Sequence, residues 1–341
     1  MQKTDLHELR KDPLLGRWVA VLNQSKSPSE YVFPTEENTE KDCLFCAGRE
    51  MELSPEIMSI QNPNPAEPSK KWWTRVIPNL SPIFRVEGEL GRRGEGMYDK
   101  MNSIGASEII VESPYHSVKP EDMGLDQMAR VLMTYKERIS DLEKDPRLRY
   151  TLIYKNSGIS AGSMYSHPVS HLASTPVIPR RVKEELDGAK QYFAYKERCI
   201  FCDLIREELR FGSRVIIETK GFVAFCPYAS KFPFESWIIP KRHNCAFQDV
   251  RADEIEDMAL ILSSVLKKLR HIFDSVPFNY FIHSAPNRIP RKNHWHTLGE
   301  DFHWHLEIMP RLLRTSGFEW GSGLYILPTS PENAAKYLRE A

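Results

Sequence analysis

Six cysteines in 341 residues are too few and too unevenly spread for a disulfide framework. Four fall in two C-x-x-C pairs, Cys43/Cys46 and Cys199/Cys202, while Cys226 and Cys245 stand alone and read as small buried residues. No apolar run approaches the roughly twenty residues that a membrane-crossing helix needs. The opening MQKTDLHELRKDPLLGRW lacks the apolar centre of a secretory signal. A reducing, cytoplasmic setting without a membrane partner is therefore expected. An excess of one charge is also missing, since Lys+Arg and Asp+Glu number 46 each. That balance removes the electrostatic footprint of a nucleic-acid binder, and no such partner is expected.

What is present is repetition. CLFC at Cys43–Cys46 returns as CIFC at Cys199–Cys202. Each pair is followed by an apolar run that leads through a proline to a histidine: SEIIVESPYHS ends at His116, and SWIIPKRHNCAF carries His243. Each half then supplies a histidine-rich strand, SHPVSHLAS around His167 and FHWHLEI around His303. The order Cys, Cys, His, His thus occurs twice, with loops of unequal length between matching elements.

Helical periodicity over 126–145 precedes the strand RYTLIYKN, and the same pattern over 252–273 precedes FNYFIHSA. Each half reads strand, strand, helix, strand, histidine strand. This is an α+β pattern, a tandem duplication with an antiparallel sheet and one main helix per half. Segment 175–198 begins with a turn and continues as a helix joining the halves. The expected domains are 1–185 and 186–341. Ser330-Pro331 should start a capped terminal helix.

Two thiolates and two imidazoles make a closed tetrahedral set suited to zinc. The expected ligands are Cys43, Cys46, His116 and His167 in the first half, and Cys199, Cys202, His243 and His303 in the second. Iron is the alternative at the second site, where His283, His294, His296 and His305 compete. In the long segment 283–301, Arg288, Arg291 and Lys292 are candidate phosphate contacts, and His294 and His296 candidate ligands.

The blocks RKDPLLGRWVAV, CLFCAGRE, WTRVIPNLSP, GASEIIVESPYHS, KNSGISAGSMYSHP and FHWHLEIMPRLLRTSGFEWGSGLYILP resemble the galactose-1-phosphate uridylyltransferase family of the histidine triad superfamily, including its ADP-glucose phosphorylase relatives. The resemblance runs through nearly the whole chain. It implies two histidine-triad-like domains, a homodimer, and nucleotidyl transfer between a nucleotide sugar and a sugar phosphate through a nucleotidyl-histidine. A neutral imidazole is both a nucleophile and a leaving group near neutral pH. The resemblance also places Gly158, Gly162 and Ser163 in a phosphate cradle, Asn156 beside the phosphates and Asn79 in the base-binding segment.

The family's active strand reads His-x-His-x-Gln. Here it reads His167-Pro168-Val169-Ser170-His171, so the resemblance puts Val169 at the nucleophile and His171 at the glutamine. His171 shares a strand face with residue 169 but sits about 6–7 Å further along, at ~3.3 Å per residue. In the second half His303-Trp304-His305-Leu306-Glu307 keeps the histidine pair, with His305 at the nucleophile-like position and Glu307 at the glutamine. Three readings follow: a transferase using His171 or His305, a nucleotide-binding protein without transferase activity, and a phosphorylase or hydrolase of nucleotides such as ADP-glucose in which phosphate or water attacks directly.

Overall fold

The computed structural model describes residues 6–32, 43–64, 66, 70–290 and 295–341. Arg291, Lys292 and His294 lie outside them. The first half runs β1 (Glu8–Lys11), β2 (Trp18–Val21), β3 (Met58–Gln61), β4 (Trp72–Pro78), β5 (Arg93–Glu95), β6 (Tyr98–Lys100), β7 (Ala106–Val111), α1 (Leu125–Leu142), β8 (Tyr150–Ser157) and β9 (Val169–Thr175). Next come α2 (Arg180–Lys196), α3 (Ile200–Phe211), β10 (Val215–Glu218), β11 (Phe222–Phe225), β12 (Ser236–Pro240), α4 (Ala252–Phe273), β13 (Phe278–His283), α5 (Leu298–Asp301), β14 (His305–Pro310), α6 (Gly317–Ser322), β15 (Tyr325–Leu327) and α7 (Pro331–Glu340).

Ten strands form one sheet in the order β10-β11-β12-β14-β13-β8-β9-β7-β4-β3. Read outward from its middle, β13-β14-β12-β11-β10 repeats β8-β9-β7-β4-β3. The halves are copies joined by the antiparallel pairing of β13 with β8, which sets Asn279 opposite Asn156 and Ile282 opposite Ile153. Within this sheet each half places three strands before its main helix, where the sequence pattern shows two. The added edge strands, β3 and β10, are only four residues long and partly exposed, too short for a clear period of two.

Helices α1 and α4 bury apolar stripes at helical spacing: Met128, Val131, Leu132, Tyr135 and Ile139 on one, Ile255, Met258, Leu262, Leu266 and Leu269 on the other. These side chains share one core with sheet residues from both halves, among them Val76, Ile153, Ile238 and Tyr280. The Glu254 carboxylate accepts from the backbone N–H of Arg251 at 2.9 Å and fixes the start of α4. At α7, Ser330 Oγ accepts from Asn333 N at 3.3 Å, with Pro331 in the first turn.

Residue 185, the expected boundary, falls inside helix α2. The chain's beginning also crosses to its end: β2 pairs in parallel with β15, and Arg10 bonds Glu332 at 3.0 Å. Among the described residues no helix is long and apolar enough to cross a membrane.

Candidate active site and metal centres

The first Cys/His set converges. Cys43 and Cys46 precede the three-residue turn at Glu50–Glu52, His116 follows β7, and His167 lies two residues before β9. Cys46 Sγ lies 3.5 Å from His116 Nδ1 and 3.8 Å from His167 Nδ1, and Cys43 Sγ lies 3.6 Å from His167 Nδ1. These are the edges of a tetrahedron around an ion bound at about 2.0–2.3 Å. The outer nitrogens are held as well: His167 Nε2 bonds the Ser113 carbonyl at 2.8 Å and His116 Nε2 bonds Ser166 Oγ at 3.1 Å. Such outer bonds fix the tautomer that leaves Nδ1 free for a metal. Burial holds His167 down to about 4, so the ring is neutral.

The second set repeats this geometry. Cys199 begins α3 and Cys202 lies in its first turn. Cys202 Sγ lies 3.4 Å from His243 Nδ1 and 3.6 Å from His303 Nδ1, and His243 Nε2 bonds the Gly299 carbonyl at 2.9 Å. The Cys199 hydrogen bond, aided by His243 and His303, draws the Cys202 thiol well below its ordinary range. Each set brings its four ligand atoms within 4.8 Å of one another, so both can hold a metal ion.

A third group was not assembled from the sequence. Glu185, His283, His305 and Glu307 also meet within 4.8 Å, all buried. His283 Nδ1 lies 2.6 Å from Glu185 Oε2, and His305 Nε2 lies 3.8 Å from Glu185 and 3.6 Å from Glu307. His305 Nε2 and both Glu307 oxygens are buried without a hydrogen-bond partner. Orphaned acceptors of this kind ask for a cation. Burial opposes ionisation of Glu307, yet Lys231, His305 and His283 together keep its carboxyl below the usual range. The only sequence signal was the alternation His303, His305, Glu307, which puts three polar groups on one strand face.

The sheet's internal symmetry relates this group to the first half. By position in the strands, Val169 corresponds to His305, His171 to Glu307 and Asn156 to His283. In the second half, helix α2 closes the place with Glu185. In the first half it opens into a cavity of about 140 Å³ whose walls include His116, His167, Val169, Lys155, Gly158 and Ser163. Asn156 lines it too.

The loop after β8 is built for this wall. Gly158 at φ 90° and Gly162 at φ 83° adopt left-handed conformations that side-chain-bearing residues rarely take. Asn279 Nδ2 donates to Asn156 Oδ1 at 2.8 Å and to the Ala161 carbonyl at 2.7 Å, which ties the turn to β13 of the other half. Ser163 Oγ donates to the Tyr165 carbonyl at 2.7 Å.

Other expected residues stand elsewhere. His171 is stacked on Tyr154, ring centroids 5.1 Å apart, with Tyr165 at 6.4 Å on a nearly parallel plane. It is not part of the cavity wall. Asn79 follows β4, accepts from Ser81 N at 3.0 Å, and is also off that wall. His305 is fully buried, stacked on Trp237 at 4.9 Å. Arg288 is taken up by Glu143 at 3.0 Å and Asp249 at 2.5 Å. Cys226 and Cys245 are buried.

Comparison with known proteins is consistent along the whole chain. The family models "galactose-1-phosphate uridyl transferase, N-terminal domain" and "C-terminal domain" match residues 1–204 and 185–336. An ADP-glucose phosphorylase of Arabidopsis thaliana is 34% identical, covering 98% of this chain and 92% of the relative. A galactose-1-phosphate uridylyltransferase of Thermotoga maritima is 25% identical over 98% of both chains. Among solved structures, that of an ADP-glucose phosphorylase from Arabidopsis thaliana with bound ADP-glucose superposes with a TM-score of 0.82 at 33% identity, covering 98% of this chain and 99% of that one.

Proposed function

This chain is a member of the galactose-1-phosphate uridylyltransferase family, and from that premise we propose that it moves a nucleotidyl group from a nucleotide sugar to a phosphate acceptor in the cavity beside the first Cys/His set. One observation carries the reading: Gly158 and Ser163, which flank the tight turn closed by Gly162, line the same cavity as His116 and His167, while Gly162 itself stands off the wall. A glycine turn lets backbone approach phosphate closely, and the adjoining set anchors the strand that carries Val169. The relative named as an ADP-glucose phosphorylase makes ADP-glucose the first donor to test. UDP-glucose is the second.

Zinc suits both Cys/Cys/His/His sets by donor chemistry and spacing. Closed sets of four leave no open position, so zinc there supplies structural clamping. The harder donors Glu185, His283, His305 and Glu307 suit a third cation such as iron. Pairing into a homodimer, implied by the family, is tested by sedimentation.

A nucleotide-binding role without turnover is the second reading, favoured by the apolar side chain of Val169 on the cavity wall. The test is to follow hexose 1-phosphate release from ADP-glucose with inorganic phosphate, and from UDP-glucose with galactose 1-phosphate, beside calorimetric binding of each donor. Turnover establishes the first reading. Binding alone moves the protein to the second, and no binding of either donor removes both.

A further inference from the structure

We propose that transfer in this cavity is a single direct displacement: a phosphate oxygen of the acceptor attacks the α-phosphorus, and no nucleotidyl group is ever held by the protein. This rests on the cavity being the transfer site. The inference comes from what each wall residue is already doing.

Two imidazoles line the cavity among the described residues, His116 and His167. Both turn Nδ1 to the cysteines, and both spend Nε2 on an oxygen, Ser166 Oγ at 3.1 Å and Ser113 O at 2.8 Å. With both nitrogens of each ring already engaged, neither ring has a nitrogen left over to meet phosphorus, and the Ser166 hydroxyl is held against His116.

Lys155 is the other nitrogen on the wall with nucleophilic potential. It forms an ion pair with Glu112 at 2.6 Å, donates to the Val169 carbonyl at 3.0 Å, and is 2% exposed. A paired ammonium has no lone pair to offer. Ser163 donates its hydroxyl proton to a backbone carbonyl. The wall hydroxyls of Ser117, Ser157 and Ser275 have no imidazole in the lining left to activate them. His171 stands outside, between two tyrosines.

A phosphate acceptor needs none of these groups, because its oxygens are anionic at neutral pH and attack without a base. Val169 presents only methyl groups at the wall, which leaves room for the incoming oxygen. Lys119, on an exposed part of the same wall, supplies a cation for the acceptor. The carboxyl of Glu121, also on the wall, is raised by burial, which lessens its repulsion of a phosphate.

The step balances without a further reactant. One P–O bond forms between acceptor and α-phosphorus. The bond from α-phosphorus to the bridging oxygen breaks, and the sugar 1-phosphate leaves with that electron pair. With inorganic phosphate the second product is a nucleoside diphosphate. With a sugar phosphate it is a new nucleotide sugar.

One displacement inverts the α-phosphorus, whereas two in succession retain it. The experiment uses the intact chain and ADP-glucose carrying one sulfur epimer at the α-phosphorus. It is run once with inorganic phosphate and once with galactose 1-phosphate, which separates the two acceptor sources. Product configuration is read by phosphorus NMR, and protein mass is measured after a basic quench. Inversion with unchanged mass is expected from whichever acceptor turns over. Retention, or a mass gain of one nucleotidyl group, overturns the proposal. Donor binding without turnover with either acceptor overturns it too but leaves the binding reading standing. Failure of the donor to bind removes the site itself.

Discussion

Lys155 and Glu112 form an ion pair of 2.6 Å beneath the cavity, with both side chains only 2% exposed. Lys155 also holds the Val169 carbonyl, and Glu112 accepts from Tyr135 at 3.0 Å and from Ser170. Tyr135 bonds Tyr280 at 2.7 Å, so the network ties β7, α1, β8 and β9 to β13 of the second half.

Breaking this pair from one side leaves a buried charge without its partner. Lys155→Met or Glu112→Gln should each destabilise the fold by about 3–5 kcal/mol. The double replacement Lys155→Met/Glu112→Leu should lose clearly less than the sum of the two, because no lone charge remains. Urea denaturation at neutral pH measures this, and strictly additive losses would show that the two charges do not depend on each other.

The Cys/His sets predict metal content. Cys43→Ser and Cys202→Ser should each lose one equivalent of zinc by elemental analysis of the purified chain. The converging ligands hold loops that are far apart in sequence, so either change should also lower the melting temperature. Glu307→Gln should leave both zinc equivalents in place and remove a third cation if one copurifies. Unchanged zinc in Cys43→Ser would show that the first set does not bind it.

His171 predicts an acid-side effect. Burial, then the nearby Lys155 charge, hold it down to about 4. Between its ordinary value of about 6.5 and about 4 the unfolded chain takes a proton that the folded chain refuses. The stability contributed by the neutral ring is therefore fully present above about pH 6.5 and is lost as pH falls toward about 4. His171→Gln should flatten that part of the profile. Equal slopes of melting temperature against pH in both proteins would remove His171 as a source of acid sensitivity.

Position 169 predicts a gain of chemistry. Val169→His would place an imidazole on the cavity wall without the commitments of His116 and His167. After incubation with ADP-glucose and a basic quench, its mass should rise by one nucleotidyl group, whereas the natural chain should not change. Donor binding without that gain would mean the strand does not present residue 169 in line with the α-phosphorus. His305→Ala and His171→Ala should abolish no adduct, since neither ring faces the cavity.

Much of this architecture was legible in the chain. The duplicated CLFC and CIFC, the proline-histidine segments and the two histidine strands gave the eight residues that converge in the two Cys/Cys/His/His groups. The long amphipathic periods at 126–145 and 252–273 coincide closely with α1 and α4. A strong period over five or more turns survives any tertiary arrangement, because one face must be buried. The four-residue edge strands β3 and β10 had no such pattern to show.

Three features were settled only by folding. The two halves merge into one sheet through β13 and β8, which no local signal records because the pairing joins residues 123 apart, such as Asn279 and Asn156. Helix α2 carries Glu185 from the boundary into the second half, where it meets His283, 98 residues away, beside His305 and Glu307. The surroundings of His171 were fixed in the same way: its strand position could be read from the period of two, but the tyrosines that take it off the cavity wall could not. Residue type and spacing determine which side chains are able to bind a metal or line a strand face. Which of them then meet solvent, a partner or a phosphate depends on burial, and burial is a property of the packed chain.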